Sequence, residues 1–165
     1  MVETADISDV KKQEIANLPD EPNTLEEIAN YNNYYEFTTS KTGVASAAEE
    51  FQTKPWTVSI DGLVNKPKVF DIEELLKIEQ EERIYRFRCV EAWSMTIPWT
   101  GFALADLVAM AKPLSSAKYV QFETFLDPDV ATGQKQSWYP WPYVEGVTME
   151  EAANDLAFMV TGAYG

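Results

Sequence analysis

Alternating apolar and polar residues predict three strands along the chain. The first covers 56–60 and is followed by Asp61-Gly62, a pair typical of turns. The second covers 84–90 and the third covers 120–124. Because successive side chains of a strand point to opposite faces, each segment should have one face in a core and the other toward water.

Helix starts are marked by a repeated capping signal, a Thr or Asp followed three residues later by Glu. The signal occurs in three pairs: Thr24 with Glu27, Asp71 with Glu74, and Thr148 with Glu151. A further helix is predicted from the apolar stripe of 104–111, ended by Pro113. Residues 1–30 are predicted to form a helical N-terminal extension of two short helices, the first of them ended by Pro19.

The order of these elements predicts the fold class. Strands and helices are interspersed without a regular beta-alpha-beta order, which favours an α+β fold with a mixed sheet and short helices. A chain of 165 residues can bury a sizeable core, and 1–165 are predicted to belong to a single domain. Residues 40–50 are predicted to form a surface loop or a weak helix, and 127–143 a long loop rich in aromatic residues.

The sequence has a single cysteine, Cys89, in the stretch RFRCVEAWSM at 86–95. Period-two geometry places its thiol on an aromatic face at the end of a strand, opposite two arginines, and an irregular segment containing Pro98 is predicted to follow. Such a thiol is most often a small buried side chain, but strand ends leading into loops also display ligands. The spacing alone leaves both a structural thiol and a reactive or metal-binding thiol open.

The charge balance narrows the possible partners. The formal net charge is −14, from 13 Lys and Arg against 27 Asp and Glu. Nucleic acid is not an expected partner, because its phosphates would be repelled. The apolar runs are too short to cross a bilayer, so no direct membrane insertion is expected. Met1 is not followed by a basic and hydrophobic leader, and we expect any export signal to have been removed or never present.

Histidine is absent from the sequence. Its absence excludes imidazole zinc sites, the Ser-His hydrolase triad and the Cys-His protease pair. Any chemistry in this chain would therefore depend on carboxylates, tyrosines, arginines, the thiol or a cofactor.

Three further features could be functional or structural. The run YNNYYEF at 31–37 offers amides and an acid among aromatic rings, which suits ligand binding, but it could equally be a packed aromatic turn. Thr124 could contact a ligand or be an ordinary strand threonine. The loop containing SWYPWPY at 137–143 could bind carbohydrate or protein, or only cover a core. The alternative to an enzyme is a non-catalytic interaction module in which Cys89 belongs to the core.

Several motifs occur in an order that resembles one known family. Between Tyr31 and Gly165 they are NNYYEF, TKPWTVSIDG, EERIYRFRCVEAWSM, IPWTGF, AKYVQFETF, WPYVEG and VTGAYG. Together they resemble the catalytic subunits of bacterial periplasmic protein-methionine-sulfoxide reductases, within the sulfite oxidase family of molybdopterin enzymes. The resemblance implies a sulfite-oxidase-type molybdopterin-binding domain.

The same resemblance implies roles for individual residues. Cys89 matches the cysteine whose sulfur binds molybdenum, so it would be both the metal ligand and the catalytic residue, as suits a soft thiolate. Asn32, Tyr35 and Glu36 match positions that hold the pterin cofactor, and Thr124 matches a further cofactor contact. The expected cofactor is molybdopterin with molybdenum (Mo-molybdopterin), which would carry the redox chemistry.

The implied activity is the two-electron reduction of methionine sulfoxide, free or in oxidised periplasmic proteins, with the oxygen released as water. The implied electron donor is a haem-containing membrane subunit that oxidises quinol. Members of the family are exported folded by the twin-arginine route, so the implied location is periplasmic.

The chain departs from the family in one respect. Members of the family continue well beyond the position that matches Gly165, and the continuation contributes further pterin contacts. The resemblance therefore implies that 1–165 are the N-terminal part of the domain, incomplete at its C-terminus.

Overall fold

A computed structural model describes the backbone of Lys11–Lys12 and residues 21–165. Its helices are α1 (Leu25–Asn30), α2 (Val44–Ala47), α3 (Ile72–Leu75), α4 (Leu104–Ala111), α5 (Met149–Ala152) and a 3-10 turn (Thr132–Lys135). Its strands are β1 (Lys11–Lys12), β2 (Thr57–Ile60), β3 (Lys68–Asp71), β4 (Glu81–Cys89), β5 (Trp93–Ala103), β6 (Tyr119–Glu123), β7 (Val144–Thr148) and β8 (Phe158–Ala163). Among the helices in this part of the chain, none has the length and apolar character needed to cross a membrane.

The strands form three sheets. The largest has the order β1-β4-β5-β8; β1 pairs parallel with β4, and the other pairs are antiparallel. The pairs β2–β3 and β6–β7 are separate antiparallel hairpin sheets. A mixed sheet with short interspersed helices confirms the predicted α+β class.

All three predicted capping boxes are formed. Thr24, Asp71 and Thr148 each accept a hydrogen bond from the backbone N–H three residues later, and the Glu at that position bonds back to the backbone of the cap. Each box therefore satisfies two N–H groups at a helix start. The helix α4 confirms the prediction for 104–111 and ends at Lys112, whose φ of 52° lies in the left-handed region.

The segment that follows β4 differs from the prediction. Instead of remaining irregular, the chain turns at 90–92 and returns as β5. The carbonyl of Pro98 accepts a 3.0 Å hydrogen bond from the N–H of Tyr164, so it points toward β8. The N–H and C=O of one residue in a strand point to the same side, so the N–H that Pro98 lacks would also point toward β8 and not toward β4. On that side Pro98 lies just beyond the last pair of β5 and β8, Trp99 with Ala163, and proline is therefore tolerated there.

Besides β5, four strands were not predicted. In β3, β7 and β8 the exposure of the side chains does not alternate cleanly, so a period-two signal is absent from these segments. The fourth, β1, pairs with Glu81–Glu82 where the sequence predicts a helix, which corrects the prediction at Lys11–Lys12. The remainder of that predicted helix, up to Pro19, lies outside the described residues.

Two hydrophobic clusters form the core. The larger joins β3, α3, β5 and α4 through four buried residues: Phe70, Leu75, Phe102 and Leu107. Burying one such side chain contributes on the order of 1.5–3 kcal/mol. The smaller cluster consists of Phe37, Val44 and Ala131, with Phe51 and Phe125 packed against it. It anchors the end of the YNNYYEF run to the segment before the 3-10 turn.

Candidate functional site

Cys89 is the last residue of β4, and its thiol is free and partly buried. Across the turn it pairs with Trp93, the first residue of β5. The ring of Phe87 lies edge-on to Trp93 at 6.2 Å and to Trp99 at 6.5 Å between ring centroids. The strand therefore ends as predicted, with the thiol at the edge of an aromatic face.

Trp93 connects this strand end to the YNNYYEF run. Its indole N–H donates a 2.8 Å hydrogen bond to the carbonyl of Tyr31, and its side chain is buried. The next residue, Asn32, donates its backbone N–H to the carbonyl of Lys41 at 2.9 Å. The first half of the run is therefore held as a closed loop beside the start of β5.

Tyr35 and Glu36 occupy the second half of the same loop. The Tyr35 hydroxyl accepts a 3.3 Å hydrogen bond from the Lys41 ammonium, and its ring lies edge-on to Trp138 at 6.4 Å. The carbonyl of Glu36 accepts a 3.2 Å hydrogen bond from the N–H of Gln134. The YNNYYEF run is thus tied to the aromatic loop and to the 3-10 turn.

The aromatic loop is ordered by contacts among its own rings. Trp138, Tyr139, Trp141 and Tyr143 pack with centroid separations between 5.0 and 6.0 Å. Trp138 is 54% exposed and Tyr143 is 40% exposed, so the cluster has a solvent-facing side. This aromatic cluster forms a continuous path from Tyr35 to Tyr143.

Tyr143 connects Thr124, the remaining predicted residue, to the aromatic cluster. Its carbonyl accepts a 3.0 Å hydrogen bond from the N–H of Thr124. Its hydroxyl donates a 2.8 Å hydrogen bond to Glu145, which raises the pKa of Tyr143 to about 12. Burial and the negative charge of Glu145 add to that increase in pKa. Tyr143 is therefore protonated at neutral pH.

The predicted site residues lie on segments that are connected through the YNNYYEF run. The run reaches the end of β4 through Trp93, and the Thr124 segment reaches the run through Tyr143 and the aromatic cluster. Trp93 and Tyr143 are not among the predicted site residues. Both fall inside motifs that carry the resemblance, RCVEAWSM and WPYVEG, but nothing in their spacing along the chain indicates that they connect the predicted residues.

The residues at this place fit a cofactor that brings its own metal ligands. Within residues 21–165 no group of three or more His, Cys, Asp or Glu is arranged to hold a metal ion. A bound organic group that supplies further donor atoms would fit this arrangement, with one soft thiolate from the protein. The Thr124 backbone N–H bonds the Tyr143 carbonyl, and its hydroxyl forms no hydrogen bond with another described residue.

Comparison with known proteins agrees with this fit. Residues 45–165 match the oxidoreductase molybdopterin binding domain, a span that includes Cys89 and Thr124 and begins after the YNNYYEF run. The chain is 47% identical over 149 residues to the protein-methionine-sulfoxide reductase catalytic subunit MsrP of Burkholderia mallei. The alignment covers 90% of this chain and 45% of that protein, so the chain spans about half the length of this curated relative. The chain belongs to the family of oxidoreductases with a molybdopterin-binding domain.

Proposed function

We propose that residues 1–165 are the N-terminal part of the single molybdopterin-binding domain of a methionine sulfoxide reductase, in which Cys89 binds molybdenum. The observation that carries the proposal is the place of Cys89, a free and partly buried thiol paired with Trp93, whose indole N–H bonds the start of the YNNYYEF run. The family match and the identity to the Burkholderia mallei protein support the same cofactor and the same reaction.

Bound molybdopterin would supply the two-electron chemistry that converts methionine sulfoxide to methionine and water. The residues of this chain would bind and orient that group. The Cys89 thiolate would be the protein ligand to the metal, and Asn32 and Thr124 would form hydrogen bonds to the pterin. Tyr35 and Glu36 would line the same side of the site, where the fixed Tyr35 ring offers a flat surface to a planar group.

The substrate and partners are proposed for the whole protein. Methionine sulfoxide, free or in oxidised proteins, is the substrate that we infer from the reaction named for the relative. A periplasmic location and a haem-containing, quinol-oxidising membrane subunit as electron donor follow from the resemblance alone. Cell fractionation tests the location, and reduction of the purified protein by membranes supplied with quinol tests the donor.

The proposed function is tested on a protein of full family length that contains these residues, expressed with molybdate. We expect stoichiometric molybdenum and pterin, and reduction of methionine sulfoxide with a reduced dye as donor. Cys89→Ala should lose molybdenum and turnover while its melting temperature stays close to the unsubstituted value. A folded full-length protein without molybdenum would contradict the proposal and favour the non-catalytic interaction module.

A further inference from the structure

The 3-10 turn lies directly against the backbone of the YNNYYEF run. A Cβ atom added at Gly133 would overlap the carbonyl oxygen of Tyr35 and would lie 2.7 Å from the carbonyl oxygen of Glu36. These neighbours are main-chain atoms, which cannot rotate away as a flexible side chain can. The glycine is therefore needed for close approach of two backbones, and its φ is not in the left-handed region.

Gln134 also holds the 3-10 turn against the YNNYYEF run through hydrogen bonds. Its backbone N–H is shared between the carbonyl of Ala131, at 3.0 Å, and the carbonyl of Glu36, at 3.2 Å, and the residue is only 6% exposed. The side-chain oxygen accepts a 2.7 Å hydrogen bond from the N–H of Asp127, and the side-chain nitrogen donates a 2.8 Å hydrogen bond to the carbonyl of Phe125. One buried amide residue thus joins the segment after β6 to the run that contains Glu36.

The position of Tyr35 and Glu36 depends on this junction more than on their own side chains. Within the part of the chain that the structure describes, no side-chain hydrogen bond joins Glu36 to another residue, and the Tyr35 hydroxyl forms a hydrogen bond only with Lys41. The other end of the run is fixed at Tyr31 and at Asn32, whose backbone N–H bonds the Lys41 carbonyl. The backbone at Tyr35 and Glu36 is placed by Gly133 and Gln134, together with the turn bond from the Phe37 N–H to the Tyr34 carbonyl and the burial of Phe37 in the smaller core cluster.

We propose that Gly133 and Gln134 are positioning residues for the pterin and act by holding the backbone of Tyr35 and Glu36 in its binding position. This inference rests on the proposed function, in which Tyr35 and Glu36 bind the pterin. Residues that orient direct ligands commonly change affinity by about 10- to 100-fold when they are removed. We expect a change of that size here.

The experiment compares Gly133→Ala with Gly146→Ala in the full-length protein. Gly146 is the matched control, because a Cβ there meets nothing closer than the Val120 carbonyl at 3.9 Å. Pterin retention after gel filtration and the dissociation constant for pterin are measured on both variants. We expect Gly133→Ala to weaken pterin binding about 10- to 100-fold and Gly146→Ala to bind as the unsubstituted protein does.

Hydrogen exchange of the pterin-free variants separates positioning from general destabilisation. We expect faster exchange at 31–38 in Gly133→Ala with unchanged exchange in β4 and β5, because those strands are held by their own pairing. If Gly133→Ala does not fold, Gln134→Ala is compared with Gly146→Ala by the same measurements. Gln134→Ala removes the side-chain hydrogen bonds to Asp127 and Phe125 without adding volume. Faster exchange across the whole protein would overturn the positioning role.

The outcomes distinguish this inference from the proposed function. Unchanged pterin affinity in Gly133→Ala, with a pterin-loaded unsubstituted protein, would overturn the positioning role and leave the proposed function intact. An unsubstituted full-length protein that binds no pterin would overturn both.

Discussion

The indole N–H of Trp93 donates a 2.8 Å hydrogen bond to the carbonyl of Tyr31. Trp93 pairs with Cys89 across the β4–β5 turn, and Tyr31 precedes Asn32 in the YNNYYEF run. One hydrogen bond therefore joins the proposed metal-binding end of the site to its proposed pterin-binding end. Because the Trp93 side chain is 7% exposed, water competes little for this bond.

Trp93→Phe should weaken the connection between these two segments. The substitution removes the indole N–H and leaves the Tyr31 carbonyl without its partner, so we expect the free energy of unfolding to fall by about 1–3 kcal/mol. Hydrogen exchange at 31–37 should become faster. Trp141→Phe is the control, because its indole donates to Gln136 in an exposed setting. If urea unfolding shows the same decrease in the free energy of unfolding for both variants, the importance of the Trp93 hydrogen bond is contradicted.

Asn32→Ala and Thr124→Val should lower the retention of pterin by the full-length protein. Thr124→Val replaces only the hydroxyl and leaves the backbone hydrogen bond to Tyr143 in place, so its folding should change little. Thr57→Val serves as the control, since Thr57 is an exposed strand threonine of the β2–β3 sheet. Full pterin content in both site variants after gel filtration would show that these two residues are structural.

The capping boxes make stability depend on pH in the acidic range. The pKa of Glu27 is lowered from 4.5 mainly by the backbone N–H of Thr24, and the pKa of Glu151 is lowered mainly by the backbone N–H of Thr148. Because folding lowers these pKa values, the stabilisation is present above pH 4.5 and is lost as the pH falls through the folded-state values. We expect the urea midpoint to fall as the pH drops below about 4.5.

The double variant Glu27→Gln/Glu151→Gln tests this origin of the pH dependence. Glutamine can form the same capping box but cannot ionise, so the urea midpoint of the variant should fall less steeply in acid. The matched control is Glu73→Gln with Glu150→Gln, which removes the same number of charges from first helical turns without removing a capping partner. If the urea midpoint of the control falls equally little in acid, the reduced pH dependence comes from the lower net charge and not from the capping boxes.

Local signals predicted the parts of the fold that depend on neighbouring residues. The capping boxes involve residues three apart, so Thr24 and Asp71 could be read directly from the sequence. The strand β5 was not predicted, because proline is normally excluded from central strands. Pro98 is accepted because the pairing of β5 with β8 ends at Trp99, the next residue. Where that pairing ends depends on β8, a distant part of the chain that local sequence patterns do not describe.

The motifs of the sequence propose Cys89, Asn32 and Thr124 as site residues, and these assignments stay predictions. The motifs do not indicate how their segments are connected, which in the structure involves hydrogen bonds of Trp93 and Tyr143. These bonds link residues far apart in sequence, and hydrophobic periodicity carries no information about such pairs. The requirement for glycine at position 133 could not be predicted either, because it arises from contact with the backbone of the YNNYYEF run, which is distant in sequence.

The 165-residue chain expressed alone should purify without cofactor and should partly self-associate. The proposed pterin contacts in this chain include no cation, and its net charge of −14 disfavours an anionic ligand. Self-association is expected at β8, an end strand of its sheet, where Val160 is 50% exposed and the nearby Leu156 is 72% exposed. Size-exclusion chromatography with light scattering gives the oligomeric state.

Val160→Lys should reduce this self-association, because a charged side chain on an edge strand disfavours pairing with another edge. The control is Met110→Lys, which adds the same charge at an exposed apolar position of α4. A monodisperse monomer of the unsubstituted 165-residue chain that contains stoichiometric molybdenum would contradict both expectations for the isolated chain.

The ligation of molybdenum by Cys89 is tested most directly by X-ray absorption at the molybdenum edge of the full-length protein, compared with Cys89→Ser. We predict that the serine variant either loses molybdenum or retains it with one sulfur ligand fewer, while circular dichroism and melting temperature show an intact fold. An unchanged molybdenum content with an unchanged number of sulfur ligands in Cys89→Ser would contradict the assignment of Cys89 as the metal ligand.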